Sequence, residues 1–332
     1  MFVCYFEHNK MQVTNVIQEQ KELKDIKRYS EGYRLVGNHS AVKVCGYCRK
    51  ALTGKDVCYK NTFYGIESWR CVQMSPTFFC DHRCIFCWRD IDYVWPKWQG
   101  VVDDPKLIVD ECIKAHVELL QGFKGNPNAI VDLVKGMEKP LHFAISLTGE
   151  PTMYPKLSEM IDYIKEKGMT AFLVTNGTIP TMVKKLVKHQ PTQLYISVYG
   201  FNKEIYQKTA NPIAKDAWEK LQKSLSMINK FKRNVIRLTL VKNYNFVEPE
   251  GYAKLIEKYK PMFVECKGFS FVGHAQERME VQNMPYHHEM MEFAKKIEEN
   301  SSYKVIDSKK ESKVVLLARE DFKGRKMNFE GL

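Results

Sequence analysis

Cys80, Cys84 and Cys87 stand as C-x3-C-x2-C within Pro76-Thr77-Phe78-Phe79-Cys80-Asp81-His82-Arg83-Cys84-Ile85-Phe86-Cys87-Trp88-Arg89. Three thiolates on one short loop can hold three irons of a [4Fe–4S] cube, leaving the fourth iron open to a substrate or cofactor. Zinc would need a fourth protein ligand, usually from a second C-x2-C pair. Cys84 and Cys87 have that spacing, but only Cys112 and Cys266 remain downstream. A lone cysteine is most often a buried apolar residue. That description suits poorly three cysteines interleaved with Asp81, His82 and Arg83.

Cys45, Cys58 and Cys71 form a second set upstream, spaced C-x12-C-x12-C in a Lys/Arg-rich stretch. Three thiolates again suggest a [4Fe–4S] cluster with one open corner. Zinc remains the alternative, because Cys45-Gly46-Tyr47-Cys48 is itself C-x2-C and Cys48 could complete four ligands. Lys60 falls between these cysteines, in Cys58-Tyr59-Lys60. Most of the chain's 51 Lys and Arg must be ordinary exposed cations. A lysine beside a cluster in a water-poor pocket is different: it loses solvation, its pKa falls, and it can form a Schiff base with a keto substrate.

Such groups need a rigid frame, and the rest of the chain supplies one. Pro105 to Val134 reads as two helices broken near Gly125-Asn126-Pro127. Apolar strand runs then recur at Leu141–Leu147, Thr170–Val174, Gln193–Val198, Val235–Val241 and Phe263–Val272. Amphipathic helices separate them, over about Lys156–Lys167, through Lys188, Lys215–Lys232 and Pro249–Tyr259, with another at His287–Asn300. Shorter apolar runs follow at Tyr303–Asp307 and Lys313–Leu317. With a first strand near Ser75–Phe79, this rhythm predicts six right-handed βα units, an α/β chain forming a partial (β/α)6 barrel. Chemistry in such sheets sits at the strand C-terminal ends. Glu150, Asn176 (next to Thr175), Ser197, Asn245 and His274 fall there. The expected division is an arm or helix at 1–37, a second-cluster segment at 38–74, the barrel at 75–320 and a tail at 321–332.

Composition narrows the class. At 332 residues and 44% hydrophobic, the chain can bury a large core. A formal charge of +12 suits either a lysine-rich surface or a polyanionic partner held through its phosphates. No apolar run approaches the ~18 residues that span a bilayer, and the first residues lack a secretory signal pattern. Ten cysteines in this setting fit metal ligation in a reducing cytoplasm better than a disulfide framework.

The C-x3-C-x2-C loop resembles the signature of the radical S-adenosylmethionine (radical SAM) superfamily. There the open iron chelates SAM, whose reductive cleavage yields a 5′-deoxyadenosyl radical. The resemblance extends over roughly residues 38–320. Ser40-Ala41-Val42-Lys43-Val44-Cys45-Gly46, Cys58-Tyr59-Lys60, Phe63-Tyr64-Gly65-Ile66-Glu67, Cys71-Val72-Gln73 and Cys87-Trp88-Arg89 are similar to the archaeal 4-demethylwyosine synthases of the wybutosine pathway. So are Ser146-Leu147-Thr148-Gly149-Glu150-Pro151-Thr152, Thr175-Asn176-Gly177, Gln193-Leu194-Tyr195-Ile196-Ser197 and Asn300-Ser301-Ser302-Tyr303-Lys304. The resemblance implies condensation of N1-methylguanosine-37, in the anticodon loop of tRNA-Phe, with pyruvate-derived carbons to give 4-demethylwyosine. It implies SAM and two [4Fe–4S] clusters, one on Cys80, Cys84 and Cys87, the other on Cys45, Cys58 and Cys71. It makes Lys60 the pyruvate Schiff-base lysine, sets Gly149 and Glu150 at the SAM amino group, and sets Asn176 and Ser197 at ribose or carboxylate. Thr175, Asn245 and His274 complete the expected cofactor-binding set. The flavodoxin-like segment of eukaryotic relatives is not seen, so the expected electron donor is a separate protein.

Two other readings compete. A radical SAM enzyme with two clusters could act on a small molecule, with turnover indifferent to tRNA. A non-catalytic iron–sulfur or zinc RNA-binding protein would bind tRNA and never cleave SAM. Lys60 between the upstream cysteines favours the wybutosine reading over both.

Overall fold

A computed structural model of the protein describes residues 32–91 and 94–329. The expected N-terminal arm lies almost wholly outside the described residues. The described chain opens with an antiparallel hairpin of β1 (Arg34–Val36) and β2 (Ser40–Val42), and β2 runs antiparallel to β3 (Cys71–Ser75). Two short helices, α1 (Gly46–Leu52) and α2 (Tyr59–Tyr64), lie between β2 and β3.

Helices α3 (Pro105–Leu120) and α4 (Val131–Met137) follow the cysteine loop, then β4 (His142–Ile145), α5 (Leu157–Glu166), β5 (Thr170–Thr175), α6 (Pro180–Leu186) and β6 (Gln193–Val198). The chain continues through α7 (Lys203–Ala210), α8 (Ala217–Leu225), β7 (Asn234–Leu240), α9 (Pro249–Tyr259) and β8 (Phe263–Gly268). It ends with α10 (His287–Glu299) and the hairpin β9 (Lys304–Lys309) and β10 (Val314–Ala318). The sheet order is β1-β2-β3-β4-β5-β6-β7-β8-β10-β9, and β3 through β8 are all parallel. The six expected βα units are present, flanked at each sheet edge by an antiparallel hairpin.

Alternation along the strands separates two cores, because successive side chains of a strand face opposite sides. Ala171, Leu173, Leu194, Ile196, Ile236, Leu238, Val264 and Cys266 pack outward against the helices. Phe172, Tyr195, Val235, Phe263, Val314 and Leu316 face the lumen, where Tyr59, Phe63, Tyr64 and Ile66 join them. Helix α2 is therefore a plug that completes the inner core of the incomplete barrel. Asp56 to Lys309 (2.6 Å) and Ser312 to Tyr47 (2.8 Å) tie this segment to the β9–β10 hairpin. The C-terminal segment seals it, with Phe322 stacked on Phe263 and Arg325 donating to the Phe63 carbonyl at 3.1 Å.

Four local expectations need correction. The first barrel strand is Cys71–Ser75 and not Ser75–Phe79, since Pro76 has no N–H for the ladder and the Ser75 hydroxyl turns the chain by donating to Thr77 O at 2.8 Å. The long helix near Lys215–Lys232 stops at Leu225, where the Ser226 hydroxyl bonds back to Lys223 O and Ile228 and Phe231 turn into the core. Helix α7 was not anticipated. Strand β8 ends at Gly268, because Phe269 and Phe271 leave the sheet for a small cluster with Val241, Ala275 and Met279.

Gly65 ends α2 at φ +81°, and a Cβ there would stand 2.4 Å from the Met327 carbonyl oxygen. Gly65→Ala is expected to lower stability by about 2 kcal/mol. Denaturant unfolding with a lowered midpoint would bear this out, and a wild-type midpoint would show that the tail does not press on the plug.

Candidate active site

The loop of Cys80, Cys84 and Cys87 sits at the C-terminal mouth of the barrel and is gripped from three sides. Below it, Glu150 N donates to Phe79 O at 2.7 Å. Gly149, at φ +66°, makes that approach possible, since a Cβ would stand 2.3 Å from Thr77 O. From the β6 side, Arg83 N donates to Asn211 O, Ile85 N to Thr209 O and Ile213 N to Asp81 O, at 2.9 to 3.2 Å. From the β8 side, His274 N donates to Trp88 O at 2.9 Å, and the Arg278 guanidinium bonds the carbonyls of Ile85, Cys87 and Arg89.

Polar side chains between loop and strand ends form one network. Asp81 pairs with His82 at 3.1 Å and accepts from Asn176 Nδ2 at 2.7 Å and Thr178 Oγ1 at 2.5 Å. The other His82 nitrogen meets the Tyr206 hydroxyl at 2.7 Å. Burial opposes both charges, yet their pairing prevails: it holds Asp81 down to about 2 and, with Cys80, lifts His82 to about 10. Glu150, 2% exposed, accepts from Thr175 Oγ1 (2.6 Å), Asn176 N (2.7 Å) and Thr152 N (3.0 Å). Burial still raises its pKa against those hydrogen bonds.

Cys80, Asp81 and His82 hold donor atoms within 4.8 Å of one another. The carboxylate and imidazole are fully bonded to neighbours, so they anchor the loop and leave metal ligation to the thiols. Burial and the charges of Cys87 and Cys80 push the Cys84 thiol pKa well up. Arg89 feels the same thiolates; burial opposes its charge, yet they raise its pKa above the ordinary value. Three thiolates would give a bound [4Fe–4S] cube with one free corner a net negative charge, which suits the buried Arg89 guanidinium beside them.

The structure brings Gly149, Glu150, Thr175 and Asn176 together under the loop. Ser197, 3% exposed, lies on the lumenal face of β6 and shares a side-chain hydrogen bond with Tyr199. Asn245 stands apart: its amide bonds Val241 N, Tyr199 O and Thr239 O at 2.7 to 3.0 Å, which holds the turn after β7. His274 reaches the loop through its backbone, while its ring bonds Glu277 at 2.9 Å. The segment 209–213 and Arg278 were missed by the sequence reading. An arginine after the last parallel strand carries no local signal of the loop it clamps.

The second cysteine set gathers at the other end of the barrel. Cys45 and Cys58 each precede a short helix, and Cys71 begins β3. Burial and Cys45 push the Cys58 thiol up to about 11, against the pull of Lys60 and Lys267. Burial raises Cys71 as well, with Lys60 lowering and Cys45 and Cys58 raising it. Such thiols keep their protons in water near neutral pH and would release them to solvent when a metal binds. Cys48 points into an apolar cluster with Val44, Leu52, Leu120 and Met137, and its thiol meets the Trp69 carbonyl at 3.8 Å. Cys45 packs against the same cluster, and Cys48 lies close enough to Cys71 to help raise its thiol pKa.

Lys60 rises from α2 into the lumen. Its residue is 8% exposed, and its Nζ lies 4.8 Å from the Tyr195 ring and 5.5 Å from the Phe172 ring. No hydrogen bond or ion pair engages this ammonium among the described residues. Beyond it, Glu265, fully buried, takes Tyr64 OH at 2.8 Å and Arg237 at 3.1 and 3.2 Å.

Residues 74–256 match the radical SAM superfamily and residues 258–319 match a family described as wyosine base formation. The S-adenosyl-L-methionine-dependent tRNA 4-demethylwyosine synthase of Pyrococcus horikoshii is 41% identical over 317 residues, covering 94% of this chain and 92% of that protein. A solved structure of TYW1 with a lysine–pyruvate adduct bound superposes with a TM-score of 0.83 at 34% identity, over 92% of this chain and 98% of that one. A crystal structure of archaeal TYW1 gives 0.76 at 31% identity, over 92% and 99%.

Asp81→Ala leaves His82 buried without its partner and should cost about 3 kcal/mol. The same variant is expected to retain less iron on anaerobic reconstitution. Wild-type iron content together with a wild-type unfolding midpoint would show that this ion pair does not hold the loop.

Proposed function

The chain belongs to the tRNA 4-demethylwyosine synthase family of radical SAM enzymes, and on that premise we propose that it joins N1-methylguanosine-37 of tRNA-Phe to carbons of pyruvate, forming 4-demethylwyosine. It is an enzyme, and the non-catalytic RNA-binding reading falls away. Its radical SAM domain takes S-adenosylmethionine and a [4Fe–4S] cluster. We assign that cluster to Cys80, Cys84 and Cys87, with Gly149, Glu150, Thr175, Asn176 and Ser197 framing the SAM site. Together, when bound, these cofactors supply a 5′-deoxyadenosyl radical able to take hydrogen from an N-methyl group that has no acidic hydrogen. We assign a second [4Fe–4S] cluster to Cys45, Cys58 and Cys71. The Cys48 thiol, buried and turned to the Trp69 carbonyl, supports three ligands over a closed zinc site.

The position of Lys60 carries the proposal. An amine without a described partner, shielded by two aromatic rings and next to Cys58, suits addition to the keto carbon of pyruvate. Nitrogen bonds to that carbon and the keto oxygen leaves as water, so the pyruvate carbons are held as an imine inside the barrel. A relative solved with a lysine–pyruvate adduct supports this reading. The modified base must leave the anticodon-loop stack to reach the mouth, and a +12 chain can hold the loop phosphates. No helix among the described residues is long and apolar enough to cross a membrane. Cysteines that form no disulfide among the described residues suit a reducing cytoplasm, and the electron is proposed to come from a separate donor protein.

Lys60→Ala is expected to keep its iron and to cleave SAM, yet to give no tricyclic base by nucleoside mass spectrometry of the tRNA. Full product from that variant would remove Lys60 from the reaction. Wild-type protein reconstituted without oxygen should hold about eight irons, and a Cys45/Cys58/Cys71→Ala triple variant about four. About four irons in both would end the second-cluster assignment.

A further inference from the structure

Three basic side chains from different elements meet in the lumen. Lys60 comes from α2, Arg237 from β7, and Lys267 from β8, two residues past Glu265 on the same strand face and opposite Thr239. They share two tyrosine rings. Lys60 and Arg237 lie 4.8 and 5.1 Å from the Tyr195 ring, and Arg237 and Lys267 lie 5.7 and 5.9 Å from the Tyr59 ring.

Charge in this group does not balance. Glu265 is bound by Arg237 at 3.1 Å, and Tyr64 takes its other oxygen. Lys267 Nζ has one hydrogen bond among the described residues, to the neutral Ser312 carbonyl at 3.3 Å. Burial, then Arg237, lowers its pKa to about 8 against the pull of Glu265 and Cys58, and Lys313 adds to the lowering. A partly buried cation with no anion of its own gains when a ligand supplies one. The ligand expected in this lumen is a 2-keto acid, which carries a carbonyl and a carboxylate on adjacent carbons. Two lysines match those two groups.

We infer that Lys267 receives the carboxylate of pyruvate and so sets the keto carbon before Lys60, an inference that rests on the Schiff-base reading given above. A carboxylate has about four lone-pair sites, so contact with a metal on one side leaves an oxygen for the ammonium. Charge then also gives selectivity, because a neutral carbonyl compound gains nothing from Lys267.

The test is reductive trapping on the full reconstituted enzyme, without tRNA. Protein is incubated with graded pyruvate and borohydride, adduct is measured by intact mass, and its position is found by peptide mapping. Wild type should form the adduct at Lys60. Lys267→Met, with iron content unchanged, should raise the pyruvate concentration for half-maximal trapping by about ten- to a hundredfold. Lys267→Arg should recover most of that loss. Pyruvamide, which lacks the charge, should be trapped alike by wild type and by Lys267→Met. An unchanged half-saturation in Lys267→Met, or an equal loss for pyruvamide, overturns the inference while leaving Lys60 in place. An adduct mapped to Lys267 also overturns it, by exchanging the two lysines. No adduct in wild type overturns the Schiff-base reading, and this inference with it.

Discussion

Glu265 has no access to water, and a carboxylate in that position must be neutralised where it stands. Arg237 from the neighbouring strand and Tyr64 from the plug do so together. Removing one partner from such a buried pair typically costs about 3–5 kcal/mol, so the arrangement specifies one seating of α2 in the lumen. Everything that α2 carries inherits that precision. Cys58 precedes the helix, Lys60 lies in its first turn, and Tyr59 is held by Arg237. A segment that looks like an extension of the barrel is thereby part of its interior.

The mouth follows another logic. There the cysteine loop is too short to fold by itself, and its shape is borrowed from strand ends on both sides of the barrel. Asp81, His82, Asn176 and Thr178 bind one another, and Glu150 binds Thr152, Thr175 and the backbone of Asn176. Polar residues at the C-terminal ends of β4 and β5 thus shape the loop before they meet any ligand. Gly149 belongs with them, because only a residue without Cβ lets the loop backbone approach so closely.

Much of this was legible in the sequence, for reasons that are local. Strand β6 and helix α9 have the bounds expected, because an apolar run between turn residues and a Pro-led amphipathic stretch are visible within a dozen residues. Both cysteine sets announce themselves by spacing. What escaped is long-range. Nothing near Lys267 says that it shares a tyrosine ring with Arg237, and nothing near Arg278 says that it clamps carbonyls of residues 85–89. The role of 209–213 depends on backbone groups, which every sequence has alike. Asn245 looked like a site residue because strand ends attract them, but its amide serves the turn itself.

Strand β3 links the two proposed metal centres directly. Cys71 is its first residue, and Cys80 follows shortly after its last, Ser75. Five strand residues span on the order of 15 Å, so the proposed centres stand at opposite ends of the lumen. A base entering at the mouth and a keto acid held near Cys58 would not meet if both were fixed at the walls. The imine proposed at Lys60 would resolve this, because the four-carbon stem would carry the bound fragment away from the helix and toward the barrel axis. Such a tether would also keep the fragment from diffusing out while the base is being placed, turning an encounter of two reactants into a step within one complex. Placing Lys60 on a plug rather than on a strand follows from the same need. Strand side chains point across the lumen, whereas a residue on a helix that closes one end can point along it.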